Sequence, residues 1–304
     1  MNANRLNVFR EVIARGSFSE AADALSYSQS AVSQAIATLE GEAGAALIER
    51  SRGGVRPTAA GAALAGHVGG ILAQMETAEA ELAAIAAGHG GRLRTASFPT
   101  AGATLMPQAI AGFRASHPGV DVTLSEGEPE EIAPRLRAGE FDLVALFEFE
   151  GVGERLGAGM RRFELLEDPL HLALRPDHPL AERRQLRLED LREESWVQTS
   201  AASPCARHVI RSCHAAGFEP AVSFESDDYQ TVQGLVAAGV GVALIPQLAL
   251  STVRPDIRVR ALHPRSPVRR VFAATPRAAA ATPAVATMLD VLREAARRGG
   301  DAGS

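Results

Sequence analysis

The chain has 304 residues, 46% of them hydrophobic, and a formal net charge of −5. That is enough apolar material for two or more buried cores, and no bulk basic field marks the whole chain for nucleic acid. No run of about 18 apolar residues argues for a membrane span. Met1–Arg10 alternates polar and apolar residues where an export signal would be apolar, so a cytoplasmic protein is expected. Two cysteines, Cys205 and Cys213, are too few for a disulfide framework.

In chain order, Leu6, Phe9, Val12 and Ile13 space a first helix, and Gly16 ends it as a residue tolerant of left-handed geometry. The stretch 17–40, SFSEAADALSYSQSAVSQAIATLE, reads as two short helices joined by a tight turn. Ser17 is a candidate N-cap, with Glu20 three residues on. Ala21, Ala22 and Leu25 give a small packing face, and Ser26-Tyr27-Ser28 interrupts the helix. Val32, Ile36 and Leu39 then set the inner face of a second helix. Its outer face carries Gln29, Ser30, Ser33 and Gln34, short or amide-bearing side chains at the end that a recognition helix points into the major groove. Two short runs around Arg52-Gly53-Gly54 predict a β-hairpin wing at about 47–57, with Arg52 and Arg56 placed for phosphates or the minor groove. The first sixty residues balance Arg5, Arg10, Arg15, Arg50, Arg52 and Arg56 against Glu11, Glu20, Asp23, Glu40, Glu42 and Glu49. Affinity for DNA would therefore rest on the placement of a few arginines.

Thr58 is a candidate cap for a fourth helix over 59–87. Leu64, Val68, Ile71, Met75, Ala78, Leu82 and Ile85 alternate spacings of four and three, a coiled-coil seam about 45 Å long. Gly61, Gly66, Gly69 and Gly70 each weaken it by up to about 1 kcal/mol. A helix so weakened needs a partner, and a dimerisation arm is expected.

Gly88-His89-Gly90-Gly91 is a hinge by composition. Beyond it, strands are predicted at 93–98, 120–125 and 141–147, with helices at 105–116 and 130–138 between them. A second set has strands at 170–174, 196–198, 222–225 and 242–245, with helices at 204–216 and 229–238. A strand at 268–274 and a helix at 283–297 return to the first. This order predicts a parallel, two-sided α/β sheet. Ligands in such sheets bind beyond the carboxyl ends of strands, where helix N-termini converge. Three junctions qualify: Ser97 to Thr100, Glu128-Pro129, and Thr199-Ser200 through Ser203. Cys205, at a helix N-terminus that would lower its pKa, is a candidate thiol. Cys205, His208, Cys213 and His214 spread round one helix and cannot close on a single tetrahedral ion. Cys205 and Cys213 are about 12 Å apart along it, beyond the roughly 7 Å that a disulfide spans. No catalytic set or phosphate loop emerges, so no enzyme is expected.

The segments RLNVFREVIARGSFSEAADALSYSQSAVSQAIATLE and IERSRGGVRPTAAG resemble the N-terminal domain of LysR-type transcriptional regulators, and GEFDLVAL and LVAAGVGVALIP resemble strand-bearing motifs of that family. The resemblance implies an α+β multidomain chain: a winged helix-turn-helix over 1–58, a linker helix over 59–87 that pairs two heads, and an effector domain over 92–298. That domain would have two Rossmann-like subdomains (92–162 with 268–298, and 163–267), similar to type 2 periplasmic solute-binding proteins. By family position Thr100 and 199–203 line the effector pocket, while Pro129 beside Glu128 stands where relatives commonly have a hydroxyl, which disfavours a dianionic effector. Cys205 falls where peroxide-sensing members carry a reactive thiol, with Cys213 one residue off their spacing. The expected partners are an operator duplex, a small-molecule effector, further copies of the chain (a dimer or tetramer) and RNA polymerase. No cofactor, metal or membrane is expected. A redox switch through Cys205 and Cys213 is the nearer alternative, and a solute-binding protein the more distant one.

Overall fold

The computed structural model describes residues 2–51, 54–86, 91–150, 156–157 and 159–301. Three helices form the head: α1 (Ala3–Arg15), α2 (Phe18–Leu25) and α3 (Gln29–Ala43). Each starts on a polar cap. Asn2 Oδ1 accepts from Asn4 N, Ser17 Oγ from Glu20 N, and Ser28 Oγ from Ala31 N. Gly16 closes α1 at φ 64°, and Ser26 closes α2 in the same left-handed region at φ 56°. Leu6, Phe9, Val12, Phe18, Ala21, Ala22, Val32, Ile36, Leu39 and Leu47 are buried together. Methyl-sized Ala21 and Ala22 let α2 and α3 cross closely.

The wing is an antiparallel pair, β1 (Ile48–Ser51) and β2 (Gly54–Pro57). Hydrogen bonds to two positions, Gly16 and Glu40, fix it to the helices. Val55 N donates to Gly16 O at 2.9 Å, and the Glu40 carboxylate accepts from Leu47 N and Ile48 N at 2.8 and 3.1 Å. Gly54, at φ 112°, has no room for a side chain, since a Cβ there would lie 2.9 Å from Gly16 O.

The long helix α4 (Ala59–Ala86) is capped by Thr58, whose Oγ1 accepts from Gly61 N at 3.0 Å. Its glycines have different roles. A Cβ on Gly61 would sit 1.9 Å from Leu47 O, so this glycine is required for α4 to leave the wing. A Cβ on Gly69 would press on Ala138 at 3.2 Å, and Gly139, at φ 77°, lies against Ala73. Small residues here let α4 approach the 137–139 turn. The expectation that these glycines only weaken the helix is thereby corrected for Gly61 and Gly69; around Gly66 there is open space. The seam is also not uniformly free. Val68 is buried in the head cluster with Leu72, and Leu64 packs against it. Ile71 and Met75 are exposed, at 36% and 41%, as is Ala78. The side chains of Leu82 and Ile85 lie outside the described residues.

The C-terminal part is built on a seven-stranded sheet in the order β10-β6-β11-β5-β3-β4, with β9 also on β6. Its strands are β3 (Arg92–Ser97), β4 (Asp121–Glu126), β5 (Leu143–Phe149), β6 (Met160–Leu174), β9 (Ala243–Pro246), β10 (Arg258–Arg260) and β11 (Val268–Pro276). Helices α5 (Pro99–Ala103), α6 (Leu105–Ser116), α7 (Pro129–Arg137) and α10 (Pro283–Asp301) belong with the first-lobe strands. The second lobe adds the parallel pair β7 (Ser195–Gln198) and β8 (Ala221–Glu225), with α8 (Pro204–Ala215) and α9 (Tyr229–Ala237).

The expected all-parallel sheet is corrected. β3 and β5 are parallel, but β11 runs antiparallel to both β5 and β6, and β9 and β10 run antiparallel to β6. The cause is one fifteen-residue strand, β6. Its first part pairs β11 from Met160 to Pro169, and its last residues, Leu170 to Leu174, pair β9 and β10. A single strand thus serves both lobes. Helices α5, α7 and α8 are the next helices after β3, β4 and β7, each separated from its strand by a junction of one to five residues.

Candidate functional site

In the head, Val32, Ile36 and Leu39 hold α3 by its buried face. That leaves Gln29, Ser30 and Gln34 exposed and Ser33 half-buried on its first turn and a half. These four positions fall at i, i+1, i+4 and i+5, one stripe of the helix. Arg56 is exposed on β2. Arg52 lies outside the described residues.

The second site grows from one buried cation. Arg269, on β11, is 2% exposed, and its Nε donates to Asp168 Oδ2 at 2.6 Å. Asp168, on β6, is 1% exposed, and its other oxygen accepts from Leu248 N at 3.0 Å. A buried ion pair is tolerated only when its remaining donors are satisfied. Here the guanidinium lies over the Phe98 and Phe147 rings, each 4.8 Å from the ring centroid. Its NH2 donates to Thr100 Oγ1 at 2.5 Å, and its NH1 reaches Cys205 Sγ at 3.9 Å. Burial is the largest single influence on Arg269 and would lower its pKa. The charge and hydrogen bond of Asp168, together with Cys205 and Tyr229, more than offset it, so the pKa is raised and the group stays cationic.

The strand ends also carry polar atoms with no hydrogen-bond partner. Ser97, at the end of β3, is fully buried with an unpartnered Oγ, and Gln198, at the end of β7, is 7% exposed with an unpartnered Oε1. Glu128, between β4 and α7, has a buried and unpartnered Oε2. Burial is the main cause that pushes its carboxyl up to about 7. Arg269 opposes the rise, while Glu130, Asp227 and Glu131 add to it. Pro129 is buried at the first position of α7.

The predicted hydroxyls are engaged differently from one another. Thr199 Oγ1 and Ser203 Oγ are 2.5 Å apart, and Ser203 also caps α8 through Ala206 N at 3.1 Å. Ser200 N donates to Asp227 Oδ1 at 2.9 Å, and Ala201 N to Glu225 Oε2 at 3.3 Å. At the head of α7, Glu128 N donates to Glu131 Oε2 at 3.3 Å. Three backbone donors at the α7 and α8 junctions are therefore already held by the chain's own carboxylates.

The profile described as LysR substrate binding domain matches residues 86–297, and the one described as bacterial regulatory helix-turn-helix protein, lysR family, matches residues 3–62. The chain is 33% identical to the probable HTH-type transcriptional regulator LrrA of Synechococcus elongatus, over 97% of this chain and 98% of that one. The chain belongs to the LysR family of transcriptional regulators. A full-length OxyR from Pseudomonas aeruginosa shares its fold at TM-score 0.64 and 22% identity, covering 98% of this chain and 95% of that one. Full-length CbnR in complex with its target DNA does so at 0.60 and 23%, covering 97% and 100%. This LysR-type protein is a DNA-binding transcriptional regulator with an effector-binding domain, and not an enzyme.

Cys205 of this LysR-type regulator does not behave as its helix N-terminus suggested. Cys205 sits at the start of α8, yet its thiol pKa is raised. Burial dominates, and the neighbouring Arg269 and Tyr229 only partly offset it. Burial likewise pushes Cys213 to about 12. His208 stacks on Phe149 with centroids 4.0 Å apart, and burial lowers it to about 4. His214 turns outward to Glu219. The four side chains go to separate surroundings.

Sequence reasoning missed Arg269, Asp168, Gln198 and Tyr229. One signal was there. In VRRVFAATP (268–276), two arginines open an otherwise apolar strand, and period-two alternation sends one of them inward.

Proposed function

We propose that this regulator works in the cytoplasm as a homodimer or homotetramer on an inverted-repeat operator. Gln29, Ser30, Ser33 and Gln34 read base edges in the major groove, and Arg56, with Arg52 of the wing, holds the backbone or minor groove. Two-fold pairing along Ile71, Met75 and Ala78, continued by Leu82 and Ile85, sets the spacing of the half-sites. The regulatory output, activation or repression, would pass through RNA polymerase. A small molecule entering between the lobes at Ser97, Thr100, Glu128, Pro129, Thr199, Ser200 and Ser203 biases a two-state arrangement of the effector domain and so of the heads.

The observation that carries the effector reading is the convergence of three strand ends on Arg269, with buried polar oxygens of Ser97, Glu128 and Gln198 left without partners. Buried polar groups are normally hydrogen-bonded, so such a cluster marks a place where a partner belongs. A redox reading through Cys205 and Cys213 has less support, because burial disfavours both thiolates.

Enrichment of bound duplexes from a random pool by the full-length protein tests the DNA reading. A site with two-fold symmetry is expected, and a pool without enrichment or a site without symmetry would refute it.

A further inference from the structure

Three of the buried, unpartnered atoms share a chemical character. Glu128 Oε2 and Gln198 Oε1 are acceptors, and Ser97 Oγ is a hydroxyl able to accept. The charges near them have one prevailing sign. Glu130, Glu131 and Asp227 all act on Glu128, and Glu126 Oε2 shares with Ser97 Oγ the space in front of Gly102. The nearby cations are committed: Arg269 to Asp168, and Arg207, on α8, to Glu130.

A bound anion would meet this junction with few donors to receive it. Ser200 N, Ala201 N and Glu128 N are filled by Asp227, Glu225 and Glu131. A protonated amine brings three N–H donors and no acceptor, which answers three orphaned acceptors and a desolvated carboxylate together. We propose that the effector of this regulator presents a primary ammonium or amidinium group to Glu128, Ser97 and Gln198. The inference rests on the reading of the lobe junction as the effector site and adds the class of molecule it takes.

Thermal shift and calorimetry on the full-length protein test it with small probes. Methylammonium, ethylammonium and agmatine are compared with tetramethylammonium, which has the charge without the N–H donors, and with acetate and 2-oxoglutarate, all at equal ionic strength. The primary amines and agmatine should give a saturable rise in Tm, and tetramethylammonium should not. Glu128→Gln should weaken the amines by about tenfold or more, whereas Glu182→Gln, an exposed carboxylate away from the junction, should leave them unchanged. Glu128→Gln removes a buried unpaired charge and keeps the side chain's shape, so loss of the fold is not expected to mask the result.

Four results would overturn the proposal. Absence of any saturable amine effect would do so, as would tetramethylammonium acting as well as methylammonium. Anions that bind in place of amines, with an affinity that changes in Glu128→Gln or Ser97→Ala, would refute the ammonium assignment and leave the junction as the effector site. Saturable binding by either class that is unchanged in both variants would refute the junction itself.

Discussion

The Thr100 hydroxyl accepts a hydrogen bond from the Arg269 guanidinium at 2.5 Å, across 169 residues of sequence. Thr100 is therefore more than a lining hydroxyl or the start of a helix, because it completes the coordination of a buried cation. Thr100→Val keeps the shape but leaves a charged donor buried and unpaired. It should lower unfolding stability by about 1–3 kcal/mol, and Thr100→Ser should restore most of it. Urea unfolding of both variants measures this; equal stability of the valine and serine forms would mean the bond contributes nothing.

The same reasoning gives a sharper test on Asp168 and Arg269. Asp168→Asn removes the negative partner of a guanidinium that cannot lose its proton, and should cost about 3–5 kcal/mol. Pairing Asp168→Leu with Arg269→Met replaces the ions with apolar groups of similar reach, and should recover most of that loss. A double variant as unstable as Asp168→Asn would show that Arg269 stabilises the fold by contacts other than this pair.

How much of this was readable in advance follows from the range of each interaction. The head was legible because its signals are local: Ser17, Ser28 and Gly16 act within a few residues, and Val32, Ile36 and Leu39 set one helical face. The three strand-to-helix junctions were legible for the same reason. Strand direction was not, since alternation along β11 or β6 reads alike in either direction. The first half of β6 was missed because MRRFELLED keeps one face toward solvent and so looks polar. The Arg269–Asp168 pair joins residues 101 apart, and no local pattern announces such a partner. The capture of Ser200 N and Ala201 N by Asp227 and Glu225 is also non-local, and it overturns the simple expectation that a helix start offers free donors.

Glu128 predicts a pH dependence of stability. Its folded-state pKa of about 7 lies above the ordinary 4.5. The folded state therefore holds the proton more tightly, and the resulting stability is full below about pH 4.5 and is lost as pH rises through about 7. Arg269 on β11, Glu130 and Glu131 on α7, Asp227 before α9, Cys205 on α8 and Tyr229 on α9 are the charged and titratable groups that act on it. Glu128→Gln should stabilise the protein by about 1–3 kcal/mol at pH 8 and by little at pH 5. Denaturant midpoints at the two pH values compare the forms; a difference that does not depend on pH would mean that Glu128 is solvated in the folded protein.

On DNA, the two faces of the head should separate by their response to sequence. Gln29→Ala should cost about 1–3 kcal/mol at the cognate site and less on random duplexes. Arg56→Ala should weaken both alike and reduce the salt slope by about one. Fluorescence anisotropy across a salt series distinguishes them. Equal fractional losses on cognate and random DNA for both variants would remove α3 from the role of reading helix.

The last prediction turns on two neighbouring positions of α4. Val68 and Ile71 both fall on the heptad seam, but Val68 is 1% exposed in the head cluster while Ile71 is 36% exposed. A charge at Val68 has no route to water and no partner, so Val68→Glu should destabilise the head itself by roughly 3–5 kcal/mol. A charge at Ile71 stays solvated in a single chain and becomes costly only when a second α4 covers it. Ile71→Glu should therefore leave the unfolding of the monomer nearly unchanged and shift the assembly toward monomer. Analytical ultracentrifugation of the full-length variants, read beside their thermal melts, separates the two effects. If Ile71→Glu sediments as the parent does, the exposed stripe from Ile71 through Met75 to Ala78 is not where the copies meet.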